Sequence, residues 1–206
     1  MSKSVVLSLC DYTGNWARPW AENGYDVVLV DLKHGSDVFT FDWSLYKDCI
    51  YAVLAAPDCS DFCVSGARWW KQKDLSGKTQ ESIKLVLQCM QIMKELNPPV
   101  FALENPVGRL STTFVMGKPD HIFDPCDYAG YSPTPEKDAY SKKTCLWGQF
   151  KMPEKKRVEP IMYTTKNGKK GSYMWAKLGG KSEKTKELRS TTPMGFSYAF
   201  FEGNKI

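Results

Sequence analysis

The sequence predicts an α/β protein built around a parallel sheet, and three observations carry that expectation. Short apolar runs recur at 5–9, 25–32, 49–57 and 100–106. Helical patterning lies between them, and a polar residue closes each run. Strands buried on both faces read as nearly unbroken Val, Ile and Leu rather than as alternation. Such strands separated by helices imply parallel crossovers with helices on both faces of the sheet.

VVLSL (5–9) is the first strand, followed by the turn-forming CDYTGN. WARPWAENG (16–24) suits a short helix with Pro19 in its first turn and Gly24 at its end. YDVVLVDL (25–32) is the second strand and CIYAVLAAP (49–57) the third, the latter stopped by proline. TQESIKLVLQCMQIMKEL (79–96) is the clearest helix. It is expected to place Ile83, Val86, Leu87, Met90 and Met93 on one face, with Thr79 or Ser82 near its start. Pro98-Pro99 ends it, and VFALENP (100–106) is the fourth strand. Residues 107–188 are rich in Pro, Gly, Tyr and Lys without sustained periodicity, so long loops and a short hairpin or two are expected. A short helix is expected again around Met194 to Glu202.

With 206 residues, 42% hydrophobic and 25% charged, the chain has the composition of a globular protein with a sizeable core. VVLSL is too short for a secretory signal, and no window approaches a membrane span, so a cytoplasmic location is expected. The seven cysteines are odd in number and scattered, which favours free thiols over a disulfide framework. Cys59 and Cys63 have a possible zinc spacing, but no second pair follows, and His34 and His121 are the only histidines; no metal is expected. The net charge of +5 is unevenly placed. Residues 151–189 hold twelve Lys or Arg against four acids, a local excess of +8 that leaves the remainder at −3. That asymmetry favours a polyanionic partner, nucleic acid first.

In an open parallel sheet, ligands bind beyond the carboxyl ends of the strands. Here those ends carry Cys10-Asp11, Asp31, Pro57-Asp58-Cys59 and Glu104-Asn105. A cysteine thiolate is a strong nucleophile, and a carboxylic acid can engage a ring nitrogen. Together they suit addition to C6 of a cytosine with an acid at N3, which makes C5 carbanion-like and able to take a methyl group. A free thiol is only a few per cent ionised at neutral pH, so a nearby cation would help, and Arg68 and Arg109 are the candidates. Gly14 allows close backbone approach, and Asp31, 17 residues later, stands where such folds hold ribose hydroxyls.

These pieces resemble the C5-type DNA cytosine methyltransferases. Pro57-x-Cys59-x-x-Phe62-x-x-x-Gly66 is similar to that family's nucleophile loop, and Leu103-Glu104-Asn105 to its Glu-Asn-Val motif. Leu7-Ser8-Leu9 with Gly14 occupies the place of its glycine-rich cofactor loop, and Gly24-Tyr25 through Asp31 resembles the next motif. Arg189-x-x-Thr192-Pro193 resembles a supporting segment near the C-terminus. The order is the family order, and the short members found in bacteriophage genomes are the most similar, with counterparts of Lys142-Lys143-Thr144-Cys145-Leu146-Trp147.

The resemblance implies a Rossmann-like, S-adenosylmethionine-dependent methyltransferase sheet with a small, loop-rich, basic subdomain. It implies methyl transfer to C5 of cytosine in DNA, with Cys59 as nucleophile and Glu104 as the acid facing N3. Cys10, Asp11, Gly14, Asn15, Asp31 and Pro57 would surround S-adenosylmethionine. Asn105, Arg68, Lys142, Lys143, Arg189 and Thr192 would serve the DNA side. The expected divisions are a catalytic core over 1–110, a substrate-contact region over 111–188 and a C-terminal segment over 189–206. The sequence departs from the family pattern at Asp58, where a second proline is usual, and in lacking a Gln-x-Arg-x-Arg segment. Those departures keep a catalytically silent binding protein in play, and a target-reading region smaller than in typical full-length members keeps in play a methyltransferase acting on single-stranded nucleic acid or a free nucleotide. In the basic stretch, Tyr128, Tyr131, Tyr140, Trp147, Tyr163, Tyr173 and Trp175 are candidates to stack on unpaired bases or to pack the subdomain. Trp69-Trp70, just past the nucleophile loop, could line a base pocket or anchor a helix.

Overall fold

Chain order reverses at the first strand, and that reversal sets where the candidate site residues are brought together. In the computed structural model, which describes residues 4–112, 115–164, 167–172 and 182–206, six strands form one sheet. They are β1 (Val5–Leu9), β2 (Asp26–Val30), β3 (Ile50–Ala55), β4 (Val100–Pro106), β5 (His121–Phe123) and β6 (Thr144–Gln149). The spatial order is β2-β1-β3-β4-β6-β5. The first four are mutually parallel, and β6 runs antiparallel to β4. From β1 the chain steps to β2 on one side and returns to β3 on the other, making the carboxyl end of β1 a topological switch point. The fold is the Rossmann-like α/β architecture expected from the sequence.

The chain divides into two compact units, one comprising residues 1–122 and 144–150, the other 123–143 and 151–206. In the first, α1 (Arg18–Glu22) follows β1 with Pro19 in its first turn, as the sequence predicts. α2 (Trp70–Leu75) and α3 (Lys78–Leu96) join β3 to β4. The buried stripe of α3 is Val86, Cys89, Ile92, Met93 and Leu96, which joins Leu7, Leu9, Val53, Ala55 and Leu103 in one core. The stripe is rotated from the expected one: Ile83 and Met90 are only partly buried, and Leu87 keeps 50% of its surface. The helix start also differs. Its N-cap is Gly77, at φ +81°, because the hydroxyls of Thr79 and Ser82 are directed to Asp74 and Asp61 instead.

The stretch expected to be mostly loops contains more order than its pattern suggests. β6 buries Cys145, Leu146 and Trp147 against β4, and the expected hairpin is β7 (Met162–Thr164) with β8 (Lys170–Ser172). The second unit holds α4 (Pro125–Tyr128), α5 (Pro135–Asp138), α6 (Glu183–Ser190) and α7 (Met194–Asn204). Its core stacks Phe123 on Phe196, ring centres 4.2 Å apart, beside Tyr128 and Phe200. Residues 151–161 run across it without helix or strand. They are held by bonds such as Val158 N–H to the Cys126 carbonyl and the two-way pairing of Lys151 backbone with the Asn204 amide. Among the described residues, no helix is long and apolar enough to cross a membrane.

Candidate active site

The rim of the first unit's sheet begins at Cys10, whose φ of +58° turns the chain sharply off β1. Its N–H bonds to the Val30 carbonyl, keeping the ends of β1 and β2 together. Asp11 follows, only 4% exposed. It accepts hydrogen bonds from the Ser8 hydroxyl at 2.9 Å, from the Ala17 N–H and from the Thr13 hydroxyl. Burial pushes its carboxyl up, and the hydrogen bonds from Ser8, Ala17 and their neighbours only partly counter this. Asp11 therefore shapes the loop from within. Gly14 sits at φ +64°, with its missing Cβ 3.2 Å from Leu29 Cδ1, so both backbone and space ask for glycine. Asn15 accepts from the Arg18 guanidinium at 2.7 Å.

At the end of β2, one Asp31 oxygen caps the following 3-10 turn by accepting from Lys33 N–H at 2.9 Å. His34 Nε2 bonds to the Tyr12 carbonyl at 2.8 Å, and Lys33 Nζ lies 4.2 Å from the Tyr12 ring centre. The loops after β1 and β2 are thus tied to each other across the switch point.

β3 ends at Ala55, and Pro57 is buried before the chain turns through Asp58 and half-buried Cys59. The Cys59 carbonyl accepts from the N–H groups of Phe62 and Cys63, which makes the Cys59 loop a tight turn. Asp58 is exposed, and its two oxygens are bound to Ser60, one to the backbone N–H at 2.9 Å and one to the hydroxyl at 2.8 Å. The carboxylate that stands in place of the family's proline is thereby committed to the next turn of chain.

On the adjacent strand, Glu104 is 9% exposed and Asn105 fully buried. Asn105 Nδ2 donates to the Pro57 carbonyl at 2.9 Å. Cys145, paired opposite Asn105 on β6, has its thiol pushed up to about 11, by burial first and by the Glu104 carboxylate second. It stays a neutral thiol beside the acid. Just beyond β4, Gly108 lies so close to the nucleophile loop that a Cβ would stand 2.1 Å from the Phe62 carbonyl oxygen. Arg109 N–H bonds to that same carbonyl, and Cys63 and Gly108 form an antiparallel bridge.

Several braces had no signal in the sequence. Asp61 is nearly buried and accepts from Ser82 at 2.6 Å and from Lys73. Burial alone would raise its carboxyl, but the Lys73 and Ser82 hydrogen bonds and the charges of Lys73 and Lys78 outweigh that and hold it below the usual carboxylate range. Arg109 makes a two-pronged bond to Asp74, donates to Thr79 and to the Asp61 carbonyl, and lies over the Trp70 ring. Of the two cations considered for the thiol, Arg109 is thus engaged in clamping the loop to α2 and α3. Arg68 is exposed, 5.2 Å from the Trp69 ring centre.

The remaining predicted residues belong to the second unit. Lys142 Nζ donates to the Arg189 carbonyl in the last turn of α6, where a cation is favoured. Lys143 is exposed, Arg189 half-buried and Thr192 3% exposed. Part of the basic stretch has structural work. Lys155 and Arg157 both pair with Asp127, and Lys156 Nζ lies 4.1 Å from the Tyr131 ring centre. Of the interleaved aromatics, Tyr128, Tyr140 and Trp147 are core residues and offer no face to a base. Tyr131 and Tyr163 are half-buried, and Tyr173 and Trp175 lie outside the described residues. All seven cysteines are free, and among the described residues no group of three or more His, Cys, Asp or Glu is arranged to hold a metal ion.

The sheet is a Rossmann-like α/β sheet whose switch point carries the Gly14 loop and Asp31, with Cys59 in the loop after β3 and Glu104 on β4. No family model matches the chain. It is 26% identical over 160 residues to a curated Frog virus 3 (isolate Goorha) protein named "Probable DNA (cytosine-5)-methyltransferase", covering 69% of each chain. The chain is thus similar in sequence to a protein of the C5-type DNA cytosine methyltransferases. A solved structure of a prophage-encoded E. coli protein, taken to be a DNA modification methyltransferase, superposes with a TM-score of 0.47 at 15% identity. That match covers 70% of this chain and 45% of the other.

Proposed function

We propose that this chain transfers a methyl group from S-adenosylmethionine to C5 of cytosine in DNA through a covalent cysteine adduct. The observation that carries the reading is that the loop after β3, which bears Cys59, is fastened to the end of the adjacent parallel strand β4, which bears Glu104, through the Asn105–Pro57 bond and the Gly108–Phe62 approach. Cys59 Sγ adds to C6 of the cytosine while the Glu104 carboxyl donates to N3, placing electron density on C5. C5 takes the methyl group from the sulfonium, which would be left as a neutral thioether; water accepts the C5 proton, and the electrons of that C–H bond expel Cys59 Sγ from C6 as the thiolate. The ring nitrogen returns its proton to Glu104 as aromaticity is restored.

The crevice fits a nucleoside donor. Gly14 keeps the loop after β1 open to close backbone approach, Asp31 offers a carboxylate to ribose hydroxyls, and Cys10, Asn15 and Pro57 border the same edge. When bound there, S-adenosylmethionine supplies a methyl group made electrophilic by its sulfonium. Asp58, which favoured a silent protein as a neighbouring carboxylate, is turned to Ser60. On the DNA side, the proposal gives Asn105 the positioning of the loop, and gives the phosphates to Arg68 of the first unit and to Lys143 and Arg189 of the second. Lys142 and Thr192 then support that surface. The expected setting is the cytoplasm, the host's if the chain is phage-encoded.

The test is transfer of labelled methyl from S-adenosylmethionine to duplex DNA, single-stranded DNA and free cytosine nucleotides. Label recovered as 5-methylcytosine, and lost with Cys59→Ser while donor binding persists, is the expected result. Donor binding without label on any substrate would turn the reading to a silent binding protein.

A further inference from the structure

The tandem Trp69-Trp70 is split by the fold. Trp70 begins α2, is half-buried and lies beneath Arg109, whose guanidinium carbon is 4.9 Å from its ring centre. It anchors the helix. Trp69, the last residue of the 3-10 turn Val64–Trp69, keeps 48% of its surface although it is among the largest apolar side chains in the protein. Arg68 stands against its ring, and Lys71 is exposed two residues on. An open indole with a guanidinium against its ring is complementary to a flat base on a phosphate chain.

The turn carrying Trp69 is fastened to the nucleophile loop. Gly66 packs so closely that a Cβ would lie 3.1 Å from the Ser60 carbonyl oxygen, and Lys73, in α2, donates to that same carbonyl at 2.8 Å. Arg109 bonds to the Asp61 carbonyl while covering Trp70. Trp69 is therefore presented from the same braced segment as Cys59.

Building on the function proposed above, we infer that Trp69 is a stacking platform for an unpaired base of the DNA strand carrying the target cytosine, with Arg68 and Lys71 on the adjoining phosphates. A base inside a duplex has both faces covered by its neighbours, so an indole can stack only on one that has left the helix or lies in a single strand. The platform favours single-stranded DNA, or duplex opened beside the target. Tyr128, Tyr140 and Trp147, by contrast, are buried and present no such open ring.

The experiment uses the full chain and a single-stranded oligodeoxynucleotide with 2-aminopurine beside its one cytosine, with the matching duplex in parallel. Binding by the unaltered protein is expected to quench the 2-aminopurine, and to be tighter for the single strand. Trp69→Ala is expected to abolish the quench and weaken single-strand binding about 5- to 150-fold, the range of one base–aromatic stack. Trp69→Phe should retain most of both. Arg68→Ala should flatten the salt dependence of binding by about one unit of slope. An unchanged quench and affinity in Trp69→Ala, confirmed folded by its thermal melt, overturns the platform, as does failure of the unaltered protein to bind the single strand. Methyl transfer assayed on the same samples separates the two readings. A Trp69-dependent quench without transfer leaves the platform and removes the enzyme, and transfer without Trp69 dependence does the reverse.

Discussion

Asn105 reaches from the end of β4 and donates its amide hydrogen to the Pro57 carbonyl at 2.9 Å, so the strand end bearing Glu104 holds the loop bearing Cys59. The amide orientation needs no choice, because a proline carbonyl can only accept. Asn105 is fully buried, and removing its donor leaves the Pro57 carbonyl short of a partner. Asn105→Ala should cost about 1–3 kcal/mol, read from the denaturant midpoint. Asn105→Asp should be worse than alanine, because an ionised carboxylate facing that carbonyl repels it. An aspartate variant as stable as the alanine one would show that the bond does not hold the loop.

Gly108 makes the second junction, and its requirement is one of space. Its φ of −176° is ordinary extended backbone, but a Cβ would meet the Phe62 carbonyl oxygen at 2.1 Å and the Cys63 Cα at 3.0 Å. Backbone on both sides leaves no flexible side chain to yield. Gly108→Ala should destabilise by about 1–3 kcal/mol. It should also push the nucleophile loop out of register with Glu104, and a displacement near 1 Å is enough to lower methyl transfer about 100-fold. Loss of stability with full transfer would mean that the loop adapts.

These junctions explain how much of the site was legible in the sequence. Cys59, Glu104, Asp31 and Gly14 follow from apolar runs whose ends can be read directly, and β1, β3 and β4 lie where those runs lie. The braces could not be read that way. Asp61 meets Ser82 across 21 positions and Arg109 meets Asp74 across 35, and neither pair leaves a local pattern. β6 was missed because TCLWGQ is short and follows a lysine pair, and only its pairing with β4 makes it a strand. The α3 cap was misread because a serine or threonine near a helix start is an N-cap only when its hydroxyl has no better partner, and here Asp61 and Asp74 provide one.

Asp61 also makes stability depend on pH. Its carboxyl is held below the usual range in the folded chain, so folding favours its ionised form. The stabilisation is fully present above the unfolded value, about 4, and is lost as pH falls through the lower folded value. Asp61→Asn should therefore melt at a lower temperature than the unaltered protein at neutral pH. The gap should begin to narrow as the pH falls below about 4 and close only below the lower folded value, where the folded aspartate is itself protonated. A gap that stays constant with pH would mean that packing, not charge, is what the substitution removes.

The thiols divide by environment, which gives a test of the site with no substrate at all. Cys89, Cys126 and Cys145 are buried, whereas Cys10, Cys49, Cys59 and Cys63 are partly accessible. Cys89 is pushed well up by its hydrogen bond with Cys10 and by burial, and Cys145 is pushed up to about 11 by burial and by Glu104. A thiol with that value has about one part in ten thousand ionised at pH 7, and only the thiolate is alkylated. Brief iodoacetamide treatment of the native chain, followed by peptide mass mapping, should modify Cys59 while leaving Cys89 and Cys145 intact until the protein is unfolded. Glu104→Gln removes the charge beside Cys145, so its thiol should label faster at alkaline pH in that variant than in the unaltered chain. Equal rates would mean that the carboxylate does not act on it and that burial alone keeps the thiol neutral.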